Sequence, residues 1–249
     1  MSKIHQTGPL VARFDRNPLG RDLIVGDVHG CFTKLKASLD AVGFNLERDR
    51  LFSVGDLVDR GPESDRALEW LAQPWFHAIS GNHEDMAIRW PLGFMFAGHY
   101  VSNGGAWNVS NPPDVQQDFA AAFAALPVAI ELQTEGGLVG IVHADVPGSS
   151  WPAFVEALEN PALSNSARER MIDQAQWSRD RIDKLFRDDV AGVRAVVVGH
   201  TPVERFTSLG NVHYIDTAAW KGGNANPALF PLLDAHTLRP AEPPSALRW

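Results

Sequence analysis

The chain has little cysteine and no long apolar run. Cys31 is the single cysteine among 249 residues, so no internal disulfide can form, and without a second soft ligand a thiolate zinc site is not indicated. No stretch of about 18 uncharged apolar residues occurs, as a membrane-spanning helix would need. Charged residues within positions 1–16 interrupt the apolar stretch of a signal peptide. We therefore expect a cytoplasmic protein without a membrane partner.

Positive charge is also scarce. There are 22 Lys and Arg against 30 Asp and Glu, which gives a formal net charge of -8. Nucleic-acid binders concentrate basic residues to displace counterions from phosphates, so nucleic acid is not an expected partner. Any phosphate site in this chain must create its own local positive charge. With 45% apolar residues, residues 1–249 can bury one large core, and we expect a single domain.

Apolar runs bounded by turn residues indicate buried strands. They are LIV before Gly26, LFSV before Gly55, FHAIS before Gly81, LVGIV before His143 and AVVV before Gly199. After the first run, apolar residues from Phe32 to Val42 recur at helical spacing, and Gly43 closes that helix. This alternation through the first part of the chain predicts βαβ units and a largely parallel sheet, hence an α/β fold.

The pattern changes in the middle of the chain and at its end. Residues 88–127 predict a helical cap inserted between strands, with one helix between Pro113 and Pro127. A charged helical stretch is expected over about 166–186. The Pro-rich residues 236–249 predict a surface tail.

Metal-ligand side chains follow each of the five predicted strands. They are Asp27 with His29, Asp56 with Asp59, Asn82 with His83, His143, and His200. Each piece alone is typical of a turn, a cap or a surface ion pair. Because the carboxyl ends of parallel strands face one crevice, the five together predict convergence on one site.

The ligand types indicate which ions this site would take. Two carboxylates, three imidazoles and one amide, with no thiolate, suit Mn best, with Fe or Zn as alternatives. Six ligands exceed what one catalytic ion normally takes from a protein. If Asp56 bridges, two divalent ions can lie about 3.5 to 4 Å apart, as in two-metal hydrolysis of phosphate esters.

The motifs closely resemble those of a known family. Five segments are similar to the signature of the metal-dependent serine/threonine protein phosphatases. They are GDVHG at 26–30, GDLVDRG at 55–61, GNHE at 81–84, VHAD at 142–145, which contains His143, and GHT at 199–201. These phosphatases form the phosphoprotein phosphatase family within the calcineurin-like metallophosphoesterase superfamily. WSRDR at 177–181 and YIDT at 214–217 resemble its small bacterial and phage branch, the lambda-phosphatase type. That branch often has Gly where this chain has Ala218.

The resemblance implies the architecture and the roles of the residues. It implies two central β-sheets flanked by α-helices, with the dimetal site at the carboxyl ends of the strands. The first ion would be held by Asp27, His29 and Asp56, and the second by Asp56, Asn82, His143 and His200. Arg60 and Arg179, with Asn82, would bind the substrate phosphate. His83, oriented by Asp59, would protonate the leaving oxygen. WSRDR offers both Arg179 and Arg181, and the resemblance favours the first.

The expected reaction is hydrolysis of phosphate monoesters on protein side chains, phosphoserine, phosphothreonine or phosphotyrosine. A hydroxide bridging the two ions would attack phosphorus in line, while a positioned acid protonates the alkoxide. Three alternatives stay open. A diadenosine polyphosphate hydrolase would more often have Asp in place of Glu84 and lack Asp59. A nuclease or cyclic-nucleotide diesterase would lack the full VDRG and GNHE set. A catalytically inactive phosphate-sensing scaffold would have lost metal ligands.

Overall fold

Strands and helices alternate along most of the chain. The computed structural model describes residues 6–223 and 227–243. The strands are β1 (Val11–Phe14), β2 (Asp22–Val25), β3 (Arg50–Ser53), β4 (Phe76–Ala78), β5 (Ala129–Thr134), β6 (Gly137–Val142), β7 (Ala195–Val198), β8 (Thr207–Leu209), β9 (Val212–Tyr214), β10 (Leu232–Asp234) and β11 (Arg239–Pro240). The helices are α1 (Phe32–Ala41), α2 (Ala67–Leu71), α3 (Asn82–Arg89), α4 (Ala97–Ser102), α5 (Ala106–Val109), α6 (Pro113–Ala124), α7 (Trp151–Glu159), α8 (Asn165–Trp177) and α9 (Asp180–Lys184). Within these described ranges, none of the helices has the length and apolar character needed to cross a membrane.

The strands form two mixed sheets. One has the order β1-β5-β6-β7-β9-β8 and the other β11-β10-β2-β3-β4. The five strands predicted from apolar runs are β2, β3, β4, β6 and β7. β2, β3 and β4 are parallel neighbours, and β6 and β7 are parallel in the other sheet. The parallel prediction therefore holds for the strands that carry the motifs, whereas β5–β6, β8–β9 and β10–β2 are antiparallel.

Apolar side chains from both sheets fill the space between them. Ile24 and Phe52 from one sheet pack in the same buried cluster as Ile130, Ile141 and Val197 from the other. A second cluster packs α1, α2, α3 and α6 against the outer face of β2–β3–β4. A third packs α7 and α8 against β6, β7 and β9. Burial of apolar area on both faces of both sheets drives this four-layer arrangement, and the predicted pair of sheets flanked by helices is confirmed.

Two predicted helices differ in outcome. Phe32, Leu35 and Leu39 are buried on α1, and Gly43 follows it at φ +62°, so this helix forms as expected. The charged stretch over 166–186 is instead two helices, because the chain becomes extended at Ser178 (φ -68°, ψ 139°). The Ser178 hydroxyl accepts the backbone N–H of Asp180 at 3.2 Å in a local turn just before α9. This break leaves Arg179 between the two helices.

The predicted cap and tail have definite structures where they are described. Residues 88–127 contain α4, α5 and α6. In the tail, β11 pairs antiparallel with β10 at the edge of its sheet, and residues 244–249 lie outside the described part of the chain. The single-domain assignment of residues 1–249 stays a prediction.

His77 on β4 is expected to make stability depend on pH. Its ring lies 4.5 Å from Phe14 and 5.2 Å from Phe52, centroid to centroid, and burial, with Arg50 nearby, lowers its pKa to about 4. Between about pH 6.5 and pH 4 the unfolded chain therefore binds a proton at this position that the folded chain does not, and stability falls as pH falls. As pH falls over this interval, we expect the melting temperature of His77→Gln to decrease less than that of wild type.

Thermal unfolding of both proteins at several pH values across this window measures that difference in slope. The exposed His236 provides a matched control, and His236→Gln should follow the wild-type slope. Equal slopes for His77→Gln and wild type would contradict the assignment.

Candidate metal centre

The loops after β2 and β3 are interlocked in an uncommon backbone conformation. The backbone N–H groups of Val28 and His29 donate to the Asp56 carbonyl at 3.1 and 2.9 Å. His29, Asp56, Asp59 and Arg60 have φ between +45° and +71°. Each such non-glycine residue costs of order 1–3 kcal/mol, and this strain typically persists at functional sites.

Two glycines allow the close approach of these loops. A Cβ on Gly61 would lie 1.9 Å from the His29 carbonyl oxygen, and a Cβ on Gly81 would lie 2.4 Å from Oδ1 of Asp56. A larger residue at either position would push the loops apart. Steric crowding thus explains why glycine occupies position 61 in GDLVDRG and position 81 in GNHE.

Asp56 lies at the centre of the cluster. Its Oδ1 is 3.3 Å from Nε2 of His143 and accepts the backbone N–H of His83 at 3.0 Å. Its Oδ2 is 3.7 Å from Nε2 of His29 and 3.8 Å from Nε2 of His83. The carboxylate therefore faces two groups of candidate ligands, and its bridging role stays a prediction.

Two imidazoles are held so that Nε2 faces the site. Nδ1 of His29 lies 2.9 Å from the Val58 carbonyl and Nδ1 of His143 lies 2.7 Å from the Val54 carbonyl. Because a carbonyl only accepts, Nδ1 carries the proton, and Nε2 offers a lone pair in the neutral ring. Such backbone bonds commonly orient metal-ligating histidines.

Asn82 completes a second group of ligand atoms. It is the first residue of α3, after β4, and its Oδ1 lies 2.9 Å from both Nε2 of His143 and Nδ1 of His200. Neighbouring ligands of one ion at about 2.0–2.2 Å lie roughly 3 Å apart, so this spacing fits one ion. The donor atoms of Asp56, His143 and His200 lie within 4.8 Å of one another, as do those of His29, Asp56 and His83.

Asp27 also belongs to this cluster. Its Oδ2 is 3.9 Å from Nε2 of His29, and its Oδ1 accepts the backbone N–H of His200 at 3.0 Å. The donor set of buried carboxylates, imidazoles and an amide fits divalent ions such as Mn, Fe or Zn. All six ligands predicted from the sequence thus lie together, with both sheets contributing.

His83 is part of a buried chain of hydrogen bonds. Its Nδ1 lies 2.7 Å from Oδ2 of Asp59, and Oδ1 of Asp59 accepts the indole N–H of Trp107 at 2.7 Å. Nε2 of His83 is buried without a hydrogen-bond partner and faces Asp56. The ring can therefore act as an acid oriented by Asp59, or as a ligand beside His29.

Arg60 of GDLVDRG and the two arginines of WSRDR have different surroundings. Arg60 Nη1 lies 2.9 Å from Nε2 of His29, and Arg179 Nε lies 3.3 Å from Nε2 of His200. Arg181 is buried elsewhere, where its Nε donates to Asp145 at 3.1 Å and its Nη1 donates to the Asp188 carbonyl at 2.8 Å. The geometry places Arg60 and Arg179 beside the predicted metal ligands His29 and His200, and Arg181 in a structural ion pair.

Comparison with known proteins agrees with this geometry. A model of the family described as calcineurin-like phosphoesterase matches residues 21–227. The chain belongs to this family. Serine/threonine-protein phosphatase 1 of Salmonella typhimurium is 35% identical over 205 residues, covering 80% of this chain and 87% of that protein. The symmetrical bis(5'-nucleosyl)-tetraphosphatase of Pectobacterium carotovorum is 46% identical in an alignment that covers 80% of this chain and 88% of that protein. A crystal structure of a candidate diadenosine tetraphosphatase, 21% identical, has a TM-score of 0.60 and covers 93% and 96%, which supports the fold.

As a member of the calcineurin-like phosphoesterases, the chain is a hydrolase of the metal-dependent phosphatase type. The family implies divalent ions, and the histidine and aspartate groups described above could bind them. The relatives include both a protein phosphatase and a dinucleotide polyphosphatase.

Burial and neighbouring charges shift the pKa values of ionisable groups in this phosphoesterase in different directions. Burial raises the pKa of Asp27 well above its usual value, and the nearby Asp216 and Asp56 raise it further. Burial also acts to raise the pKa of Asp56, but His143 and His83 outweigh it and the net pKa is well below the usual value. The pKa of His200 is lowered to about 3 by burial and by His143. Repulsion among buried carboxylates favours binding of cations here.

Sequence reasoning missed two buried acids of the phosphoesterase. Glu84 accepts the backbone N–H groups of Asp56, Leu57 and Gly81, each at 2.8 Å, and burial with Asp56 raises its pKa to about 7. Its position three residues after Gly81, where the Glu of a capping box stands, is a signal that could have indicated it. Asp216 of YIDT is buried at the same end of the fold, where burial raises its pKa to about 6. No spacing rule in the sequence indicated that Asp216 would be buried there.

Proposed function

We propose that this phosphoesterase is a two-metal phosphomonoesterase that acts on phosphorylated serine, threonine or tyrosine side chains of proteins. Asp27, His29 and Asp56 would hold one ion, and Asp56, Asn82, His143 and His200 the other. Mn suits this mixed oxygen and nitrogen set best, with Fe or Zn as alternatives. When bound, the divalent ions supply a water acidic enough to act as nucleophile near neutral pH and positive charge that offsets that of the phosphate.

The observation that carries the proposal is the chain His83–Asp59–Trp107. An alkoxide leaving group from a serine or threonine phosphate is strongly basic and must be protonated as the P–O bond breaks. Asp59 accepts from Nδ1 of His83 at 2.7 Å, which fixes the ring so that Nε2, and a proton bound there, is aimed into the site. In this proposal His83 gives that proton to the leaving oxygen.

The two arginines and Asn82 would bind the phosphoryl group. A guanidinium offers donors in a fixed plane that matches phosphoryl oxygens, which an ammonium group does not. Arg60 and Arg179 lie beside His29 and His200, at opposite ligand groups. Together they would provide local positive charge for a phosphate in a chain whose net charge is -8.

A dinucleotide polyphosphate hydrolase is the second candidate. The 46% identity to a bis(5'-nucleosyl)-tetraphosphatase favours it. Its leaving group would be a nucleotide phosphate, which is a weak base and needs little protonation. The acid chain at His83 would then contribute little, and this difference separates the two candidates.

The deciding experiment compares substrates on Mn-loaded protein. Phosphoserine, phosphothreonine and phosphotyrosine peptides are assayed beside diadenosine tetraphosphate, each with wild type and His83→Asn. We expect the larger kcat/KM on a phosphopeptide. A larger kcat/KM on diadenosine tetraphosphate, with little effect of His83→Asn, would overturn the protein-phosphatase proposal and favour the second candidate.

Lysine substitutions are expected to separate Arg179 from Arg181. Arg179→Lys should lower kcat/KM at least about tenfold, near 1.4 kcal/mol, because the planar fork is lost although the charge remains. Arg181→Lys should mainly lower the melting temperature, because it disrupts the buried contacts to Asp145 and the Asp188 carbonyl.

Steady-state kinetics and thermal unfolding of both variants measure these effects. Impaired kcat/KM in Arg181→Lys with wild-type kinetics in Arg179→Lys would transfer the phosphate role to Arg181.

A further inference from the structure

Arg60 is exposed, yet its surroundings fix its position. Its backbone has φ +67°, and a Cβ on Gly104 would lie 2.4 Å from its backbone nitrogen, so the cap packs directly against this turn. An arginine side chain has many rotamers, and ordering it at a binding site costs entropy unless a neighbour restricts it. The same Cβ on Gly104 would lie 2.9 Å from Cγ of Arg60, so this contact reaches the start of the side chain, and the guanidinium lies beyond it.

Trp220 supplies such a neighbour. The Cζ atom of Arg60 lies 4.7 Å from the centroid of the Trp220 ring, within the range of a cation–π contact. The same ring makes an edge contact with His29, at 4.6 Å between centroids and 72° between planes. The guanidinium therefore lies between an aromatic face and the metal ligands, with Nη1 2.9 Å from Nε2 of His29.

Several contacts fix the loop that carries Trp220. Oδ1 of Asp216 accepts the backbone N–H of Ala218 at 2.7 Å, and Ala218 has φ +54°. From α1, the buried Lys34 donates to the Ala219 carbonyl at 2.7 Å. The Cys31 thiol lies 3.7 Å from the Trp220 carbonyl. A loop anchored at successive residues can hold the indole ring in a defined place.

We propose that Trp220 is a positioning residue that holds the guanidinium of Arg60 in the orientation that binds the phosphoryl group. The inference rests on the proposed phosphate-binding role of Arg60. It assigns Trp220 to substrate binding through Arg60, and not to holding metal. Removal of the ring should weaken phosphate binding only while the guanidinium is present.

A double-mutant cycle tests this dependence. Inhibition by inorganic phosphate and kcat/KM on p-nitrophenyl phosphate are measured for Mn-loaded wild type, Trp220→Leu, Arg60→Lys and the double variant. We expect Trp220→Leu to weaken phosphate inhibition about three- to tenfold, as loss of a cation–π contact implies. Adding Trp220→Leu to Arg60→Lys should change inhibition by less than about twofold, because the planar cation is already gone.

Three further variants guard against a purely structural effect. Trp220→Phe keeps an aromatic face and should stay within about twofold of wild type. Trp220→Met also removes the ring but leaves a longer, flexible side chain that fills irregular gaps, and serves if Trp220→Leu does not fold. Trp75 is half-buried in a separate aromatic cluster with Trp70 and Phe44, and Trp75→Leu should keep wild-type phosphate inhibition. Bound metal is quantified in every variant and should not change.

The outcomes distinguish failure of the inference from failure of the proposed function. If Arg60→Lys is impaired while Trp220→Leu and Trp220→Met match wild type, the positioning role is wrong and the phosphate role of Arg60 stands. Equal effects of Trp220→Leu with and without Arg60→Lys, or loss of bound metal, would also overturn the inference, because Trp220 would then act through His29. A silent Arg60→Lys overturns both.

Discussion

Replacement of His83 by asparagine is expected to lower kcat on a phosphothreonine peptide by about 10² to 10⁴ while bound metal stays near the wild-type level. Asparagine cannot deliver a proton to the leaving oxygen, but it keeps the backbone N–H that donates to Asp56 at 3.0 Å. On p-nitrophenyl phosphate the loss should be much smaller, because nitrophenolate needs little protonation. Steady-state kinetics on both substrates, with metal analysis of the same preparations, measures the contrast.

The structure also allows a different role for His83, that of a metal ligand. His83 shares a potential ligand group with His29 and Asp56, so it could hold an ion instead of delivering a proton. Loss of metal from His83→Asn, or equal loss of kcat on both substrates, would favour the ligand role. The matched control is His236→Asn, which should keep wild-type kinetics. His236 is exposed and follows β10, at the end of the sheet away from the candidate metal site.

Replacement of Asp56 by asparagine is expected to remove metal and, with it, activity. Substitution of residues that only orient metal ligands costs 10- to 100-fold in affinity, and loss of a charged ligand facing both groups should cost at least about 100-fold. The amide keeps nearly the same shape, so the loss reports charge and coordination more than packing. Metal stoichiometry after dialysis and kcat on a phosphopeptide measure the effect.

Thermal unfolding provides a second measurement of the same variant. Metal that binds only the folded state raises its stability, by about 2.7 kcal/mol when the free ion is at 100 times its Kd. Chelation should therefore lower the wild-type melting temperature reversibly, whereas Asp56→Asn should show little change on chelation or on addition of Mn. Asp40→Asn, an exposed position on α1, should respond like wild type. Retention of two ions by Asp56→Asn would contradict the bridging role.

Local sequence predicted much of the fold because apolar periodicity and turn residues are local signals. The runs before Gly26, Gly55, Gly81, His143 and Gly199 all form strands. The break at Ser178 was not predicted, because 166–186 has continuous helical character and the turn that the Ser178 hydroxyl forms with the backbone N–H of Asp180 competes with it only weakly. The division into two sheets came from the resemblance, since strand runs alone do not say which strands are neighbours.

Some properties of the site follow from the sequence by itself. The candidate metal ligands and their positions after the strands could be read from it, because the carboxyl ends of parallel strands within a sheet share an edge wherever the helices lie. The tertiary structure decided the contacts between distant segments: the bonds of Glu84 to the backbone of Asp56 and Leu57, the separation of Arg179 from Arg181, and the ring of Trp220 against Arg60. These contacts join residues far apart in the chain, and their distances depend on how the two sheets pack, which no local pattern encodes.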